Sequence, residues 1–196
     1  SVEAATLANN HSQDYGQTGY DDTIAALDAE GVQSFGYDRI AYLDVKGVKV
    51  ALIGSYFPED SAENTKEMTD NIAAARAAGA QLVIVYVHWG QEHEYDITEG
   101  QQTAGRAAID AGADVVVGSH PHVVQGWEVY QGRYIVYSLG NFCFGGNTNP
   151  DDKDCLIFQQ TFTVTGDEVA KNDDVDFIAA SVSTETDRNT YQPVLA

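Results

Sequence analysis

Apolar positions along the chain change period from one segment to the next, and those changes mark its elements. Three segments carry helical spacing. The first helix is expected to start near Thr18 as N-cap, to line up Tyr20, Ile24 and Leu27 on one face, and to end at Gly31. The second covers "NTKEMTDNIAAARAAG", where Asn64 and Glu67 have capping-box spacing, Met68, Ile72 and Ala75 form the stripe, and Gly79 stops the helix. The third covers "TEGQQTAGRAAIDAG", with Thr98 and Gln101 at the same box spacing. "QLVIVYVHWG" and "DVVVGSHPH" follow the second and third, near-continuous apolar runs that read as strands buried on both faces.

Other stretches turn back on themselves. "RIAYLDVKGVKVALIGSYF" reads as a hairpin at Lys46-Gly47, "WEVYQGRYIVYSLGNF" as one at Gln131-Gly132, and "LIFQQTFTVTGDEVA" as one around Gly166-Asp167. Buried strands alternating with helices imply a parallel sheet covered on both sides, and the hairpins add antiparallel pairs. The fold class is therefore α/β, with a mixed sheet or a sandwich of two sheets. No linker or low-complexity tract divides residues 1–196, only a polar tail after about Ala180, so they read as a single domain.

Length and composition agree: 196 residues at 43% hydrophobic content support one sizeable core. Charge narrows the partners. Ten Lys plus Arg against 30 Asp plus Glu leave a net −20, which repels a nucleic-acid backbone and disfavours anionic lipid. An anionic substrate would need a local cation. No stretch approaches a transmembrane helix and no basic-then-apolar leader opens the chain, which starts at Ser1; a processed protein or part of a longer one is expected. Cys143 and Cys155 flank the turn-rich "FGGNTNPDDKD". A disulfide across it, worth roughly 3 kcal/mol by loop closure and pointing to an oxidising compartment, and a pair of free thiols with one buried stand as alternatives.

The chemistry gathers at strand ends. His88 closes one apolar run, and "VVVGSHPHVVQG" places His120 and His122 around Pro121 at the end of another. Proline favours extended geometry in its predecessor, and side chains two apart on an extended chain leave on one side. Asn10 and His11 follow a short apolar stretch. Ligands of open α/β sheets collect outside the carboxyl ends of strands, so four of the five histidines sit where a site is expected. Neutral imidazoles with amide or carboxylate oxygens suit zinc, iron, manganese or nickel. Two such cations sharing a water would activate it for an in-line displacement at phosphorus, with His11, outside the metal shell, protonating the leaving group. His93, between Glu92 and Glu94, reads as part of a solvated loop. A nucleophile elbow, a phosphate loop and a dinucleotide fingerprint are all missing.

At these residues the sequence resembles the bacterial poly-γ-glutamate capsule-synthesis proteins of the CapA type, themselves similar to calcineurin-like metallophosphoesterases. The matching segments are "LANNHSQDYG", "DDTIAAL", "VHWGQE", "AIDAGADVVVGSHPHVVQGWE" and "YIVYSLGNFCFGG", in family order from Leu7 to Gly146. The resemblance implies a metallophosphoesterase-like layered sandwich of mixed β-sheets flanked by helices. It implies that Asn10, His88 and His120 bind one divalent ion and His122 a second, the ions being Mn, Fe or Zn. His11 would be the general acid and Asp14 the partner that orients it, with Glu92, Glu128 and Asn141 in substrate-binding or supporting positions.

The family carries two earlier aspartate-bearing motifs. Only nine residues precede Asn10, so the chain is expected to be the C-terminal portion of the domain, with an incomplete two-metal site. Two function classes follow: a metal-dependent hydrolase acting on a phosphoester or an anionic polymer, and a non-enzymatic cell-surface scaffold that binds polymer during capsule assembly. A third is a surface binding domain with a chance histidine cluster. The resemblance also implies an extracellular or cell-surface setting, membrane-anchored in the full-length protein. Strand edges exposed by truncation would invite self-association.

Overall fold

The computed structural model describes residues 2–58, 61–171 and 174–196. Its centre is a six-stranded sheet in the order β3-β4-β5-β6-β8-β7. Two short strands precede it, β1 (Ala4–Thr6) and β2 (Gln33–Phe35), paired in parallel and separated by α1 (Gly16–Ala29). The central strands are β3 (Ala41–Val45), β4 (Val48–Tyr56), β5 (Leu82–His88), β6 (Val115–Ser119), β7 (Trp127–Tyr130) and β8 (Arg133–Val136). Helix α2 (Ala62–Ala77) joins β4 to β5, and α3 (Glu99–Asp110) joins β5 to β6. The pairs β4/β5, β5/β6 and β6/β8 are parallel, while β3 and β7 close the edges in antiparallel fashion. A three-stranded sheet, β13-β12-β9, is built from β9 (Asp154–Gln160), β12 (Val175–Ser181) and β13 (Val194–Leu195); β10 (Val164–Thr165) and β11 (Glu168–Val169) form a separate hairpin. The α/β class with mixed sheets flanked by helices is as the sequence predicts, and strand pairing persists past Ala180 where a polar tail was expected.

Strand alternation distributes the core. Val83, Val85 and Val87 of β5 join Met68, Ile72 and Ala75 of α2 and Ala104 and Ala108 of α3 in one buried cluster. The intervening Leu82 and Ile84 meet Val50, Val169 and Phe162 on the other face, under the β10–β11 hairpin. Further along that face Tyr134 of β8 packs against Phe158 and Phe177 of the three-stranded sheet. The layers are thus helix, central sheet, smaller sheet.

Caps and turns largely follow the sequence. Thr98 and Gln101 form a complete capping box, and Gly79 has φ +85° just beyond α2. Lys46-Gly47 and Gln131-Gly132 are two-residue turns with positive φ at both positions, the geometry that suits the twist of a tight hairpin. Two boundaries differ. Ser61, not Asn64, caps α2, its side chain accepting the Asn64 N–H. Helix α1 begins before Thr18, and none of its residues is fully buried, so Tyr20, Ile24 and Leu27 form a half-covered face.

Candidate functional site

The parallel strands deliver their carboxyl ends to one edge. There Tyr56 pairs with His88, and His88 with Ser119. His88 is held at both nitrogens: Nε2 faces Asn10 Oδ1 at 2.9 Å and Nδ1 faces the Ser119 hydroxyl at 3.2 Å. With the amide oxygen as acceptor, Nε2 carries the proton and Ser119 donates to Nδ1. Burial pushes the His88 imidazole down to about 3, with His120, His122 and His11 adding in that order. It is therefore neutral at physiological pH, the form that ligates metal.

Beyond β6 the chain bends instead of staying extended. His120 has φ +100° and His122 φ +59°, so the convergence of the two imidazoles comes from two left-handed residues around Pro121, not from the extended geometry expected. Their rings lie 6.2 Å apart, and the His88 and His120 rings 4.5 Å apart. His122 Nδ1–H donates to Asn141 Oδ1 at 2.7 Å, and Asn141 Nδ2–H donates back to the His122 carbonyl at 3.1 Å. That pair fixes the ring and leaves Nε2 free, the arrangement by which a neighbouring group orients a ligating histidine. One ligand atom each from Glu92, His120 and His122 lies within 4.8 Å of the others. His120 Nδ1 is buried without a hydrogen-bond partner, an uncommon state for a buried polar atom. Burial depresses the His120 pKa against the opposing pull of Glu92.

Two imidazoles and a carboxylate with an orphaned buried nitrogen fit one divalent cation. Glu92, His120 and His122 are a possible metal-binding triad, and Asn10 and His88 adjoin it through His120. Among the described residues no aspartate or glutamate besides Glu92 joins this cluster. A cavity of about 270 Å³ beside it is lined by Asn9, His88, His120, His122, Asn141 and Cys143. A hollow of about 600 Å³ lies at the opposite end of the sheet against Arg76, Asp114 and Arg133. There Asp114 bonds both arginines and the Val83 N–H, so its polar groups serve the fold.

The remaining expected residues divide. His11 Nδ1 lies 2.9 Å from Asp14 Oδ2, so the carboxylate holds the ring and directs Nε2 away from it. Glu128 is not brought to the cluster. Arg106 binds both its oxygens at 2.9 and 2.7 Å, the Tyr137 hydroxyl donates to one of them, and the guanidinium lowers its pKa. That ion pair joins α3 to β7 and corrects the supporting role expected for Glu128. No disulfide forms: Cys143 is exposed, while Cys155 is buried in β9, its thiol pushed up to about 11 by burial and then by Asp154 and Asp152. His93 lies in an exposed loop, as the sequence reading has it. From there its N–H donates to the Pro121 carbonyl and its ring stacks 6.2 Å from His122. Its place in "HWGQEHEY", just past a strand end, was the available signal.

Comparison with known proteins supplies a context for this edge. A family model described as "Bacterial capsule synthesis protein PGA_cap" matches residues 1–146. The chain is 36% identical over 160 residues to the capsule biosynthesis protein CapA of Bacillus anthracis, covering 70% of this chain and 39% of that protein. It is 36% identical over 156 residues to the PGA biosynthesis protein CapA of Bacillus subtilis (strain 168), covering 70% and 41%. The chain thus matches about two fifths of the length of these curated relatives. A crystal structure of a hypothetical protein from Thermus thermophilus superposes with a TM-score of 0.56 at 15% identity, covering all of this chain and 76% of that one, a likeness of fold alone.

Proposed function

The chain belongs to the bacterial capsule synthesis protein family, and from that premise we propose that it serves poly-γ-glutamate capsule assembly through a metal-dependent hydrolase site of the metallophosphoesterase kind. The observation that supports this most is that one ligand atom each from Glu92, His120 and His122 lies within 4.8 Å of the others. On this reading Glu92, His120 and His122 would hold a divalent cation, Mn, Fe or Zn. A second could take Asn10 Oδ1 and His88 Nε2 once the His88 proton shifts to Nδ1, where the Ser119 oxygen can accept it. A cation there supplies a Lewis acid that lowers the pKa of water and neutralises charge developing on a phosphoryl or carbonyl oxygen.

The chain's own groups would do the rest. Asn141 holds the His122 ring through Nδ1, which leaves Nε2 as its ligating atom. His11, oriented by Asp14 through Nδ1, presents Nε2 as the proton donor to a leaving group. The cation would also offset the net −20 of the chain, which otherwise opposes an anionic polymer or phosphoester. We place this work at the outer face of the cell, in a longer protein; no helix of the described residues is long and apolar enough to cross a membrane.

The test is turnover of an aryl phosphate, and scission of poly-γ-glutamate, by this chain and by a longer form of the protein with added Mn²⁺. Metal-dependent hydrolysis lost in His11→Ala and in His122→Ala supports the reading. Full metal occupancy with neither bond cleaved, and with His11→Ala silent, would instead make the protein a polymer-binding scaffold.

A further inference from the structure

Glu92 reaches the candidate triad from a loop with little packing of its own. The loop runs from β5 to α3, and residues 91–96 are all exposed. Within it the Glu94 N–H reaches the Gln91 carbonyl at 3.4 Å, and the exposed Tyr95 hydroxyl donates to Asp152. Three further ties come from beneath. The His93 N–H donates to the Pro121 carbonyl at 2.8 Å. The other two come from a single side chain: Gln125 Nε2 donates to the carbonyls of Glu94 at 2.9 Å and Asp96 at 3.3 Å.

That side chain is itself fixed from behind. Gln125 is 2% exposed, and its N–H donates to the Ser138 carbonyl. Its Oε1 accepts from Nε2 of Gln101, which is completely buried. Gln101 Oε1 in turn accepts the Thr98 N–H in the capping box of α3. A Cβ on Gly90 would come within 2.9 Å of the Gln101 amide, so the start of the loop closes over the same pair. Gln125 spends both amide hydrogens and its oxygen on this arrangement. An aliphatic side chain would fill the space without burying a polar group, and buried amides are costly unless they are fully bonded. What only the amide supplies is two donors aimed at the Glu94 and Asp96 carbonyls, two and four residues after Glu92.

We propose that Gln125, backed by Gln101, is a positioning residue for Glu92: it clamps residues 89–98 in the shape that brings the Glu92 carboxylate to His120 and His122. The inference rests on the metal reading of that triad and adds a residue to it that touches no ligand atom. Outer residues that orient metal ligands commonly change affinity tenfold or more.

The experiment combines hydrogen exchange of residues 89–98 with Mn²⁺ titration alone, on wild type, Gln125→Met, Glu92→Ala and the double variant, each well below its melting temperature. Faster exchange confined to the loop in Gln125→Met is expected. So is an about tenfold loss of Mn²⁺ affinity, with no additional loss when the change is made in Glu92→Ala. Gln125→Asn keeps a polar, foldable side chain but draws the donors away from the loop, and should give the same pattern. Unchanged loop exchange, or an equal loss with and without Glu92, overturns the positioning role while the metal site stands. Failure of the wild-type chain to bind Mn²⁺ overturns the metal reading itself and the ligand role of Glu92 with it.

Discussion

His120 and His122 occupy backbone conformations that cost a non-glycine residue about 1–3 kcal/mol each, and both lie at the proposed ligands. Strain kept where metal donors converge predicts a trade. His120→Gly should stabilise the metal-free protein relative to His120→Ala by about 1 kcal/mol while weakening Mn²⁺ binding. Urea denaturation and Mn²⁺ titration of both variants check it, and equal stability of the two would contradict it. His88 predicts an acid limb. Its pKa falls from 6.5 in the unfolded chain to about 3 in the fold. As pH drops through that window the unfolded state takes up a proton that the folded state refuses, so stability declines. In chelator-treated protein, His88→Gln should flatten the fall in urea midpoint between pH 6.5 and pH 3. At this scale the histidines were legible because imidazoles at strand ends are rare. Glu92 reads only loosely, and the contacts of the exposed His93 with Pro121 and His122 do not show at all, because a run of charged neighbours looks the same whether solvated or folded back. Gln125 was invisible, since nothing local distinguishes a clamping amide from an ordinary polar residue.

At the scale of elements, period and turn chemistry carried far. The stripe Met68, Ile72 and Ala75 is fully buried, and both two-residue hairpin turns lie where Lys-Gly and Gln-Gly stand. Helix α1 was over-read, because a stripe of Tyr20, Ile24 and Leu27 states what could be covered and not what covers it. The left-handed residues on either side of Pro121 are also beyond local rules, and the Pro121 carbonyl between them is met by the His93 N–H from another segment. Two glycines separate conformation from space. Gly47 has φ +82° and open surroundings, so Gly47→Ala should cost about 1 kcal/mol through backbone strain alone. Gly118 has no room at all. A Cβ there would lie 2.1 Å from the Tyr137 carbonyl and 2.3 Å from Trp89 Nε1, whose N–H donates to that same carbonyl. Gly118→Ala must displace the strand that carries His120, and a loss of about 3 kcal/mol or more is expected, well above Gly47→Ala. Thermal melts of the pair test the ranking, and similar losses would refute it.

At the scale of the whole molecule, the layers keep the two ends of the sheet distinct. One end is stapled by Asp114 between Arg76 and Arg133, and the other gathers histidines, amides and Glu92. The acidic surface favours cations over anions throughout, so Mn²⁺ affinity should weaken several-fold between about 20 mM and 500 mM salt as that field is screened. Sequence exposed this polarity of the molecule, because strand ends follow from the order of elements. It did not reveal which donors meet, because that depends on loops that arrive from separate segments. The central claim is that the edge holds a metal through Glu92, His120 and His122. The most direct measurement is Mn²⁺ binding stoichiometry of the chelator-stripped chain, compared with Glu92→Ala, His120→Gly and His122→Ala. At least one ion per chain is expected, with binding weakened about tenfold or more by each substitution. Binding absent in the wild-type chain, or unaffected by all three substitutions, would contradict the claim.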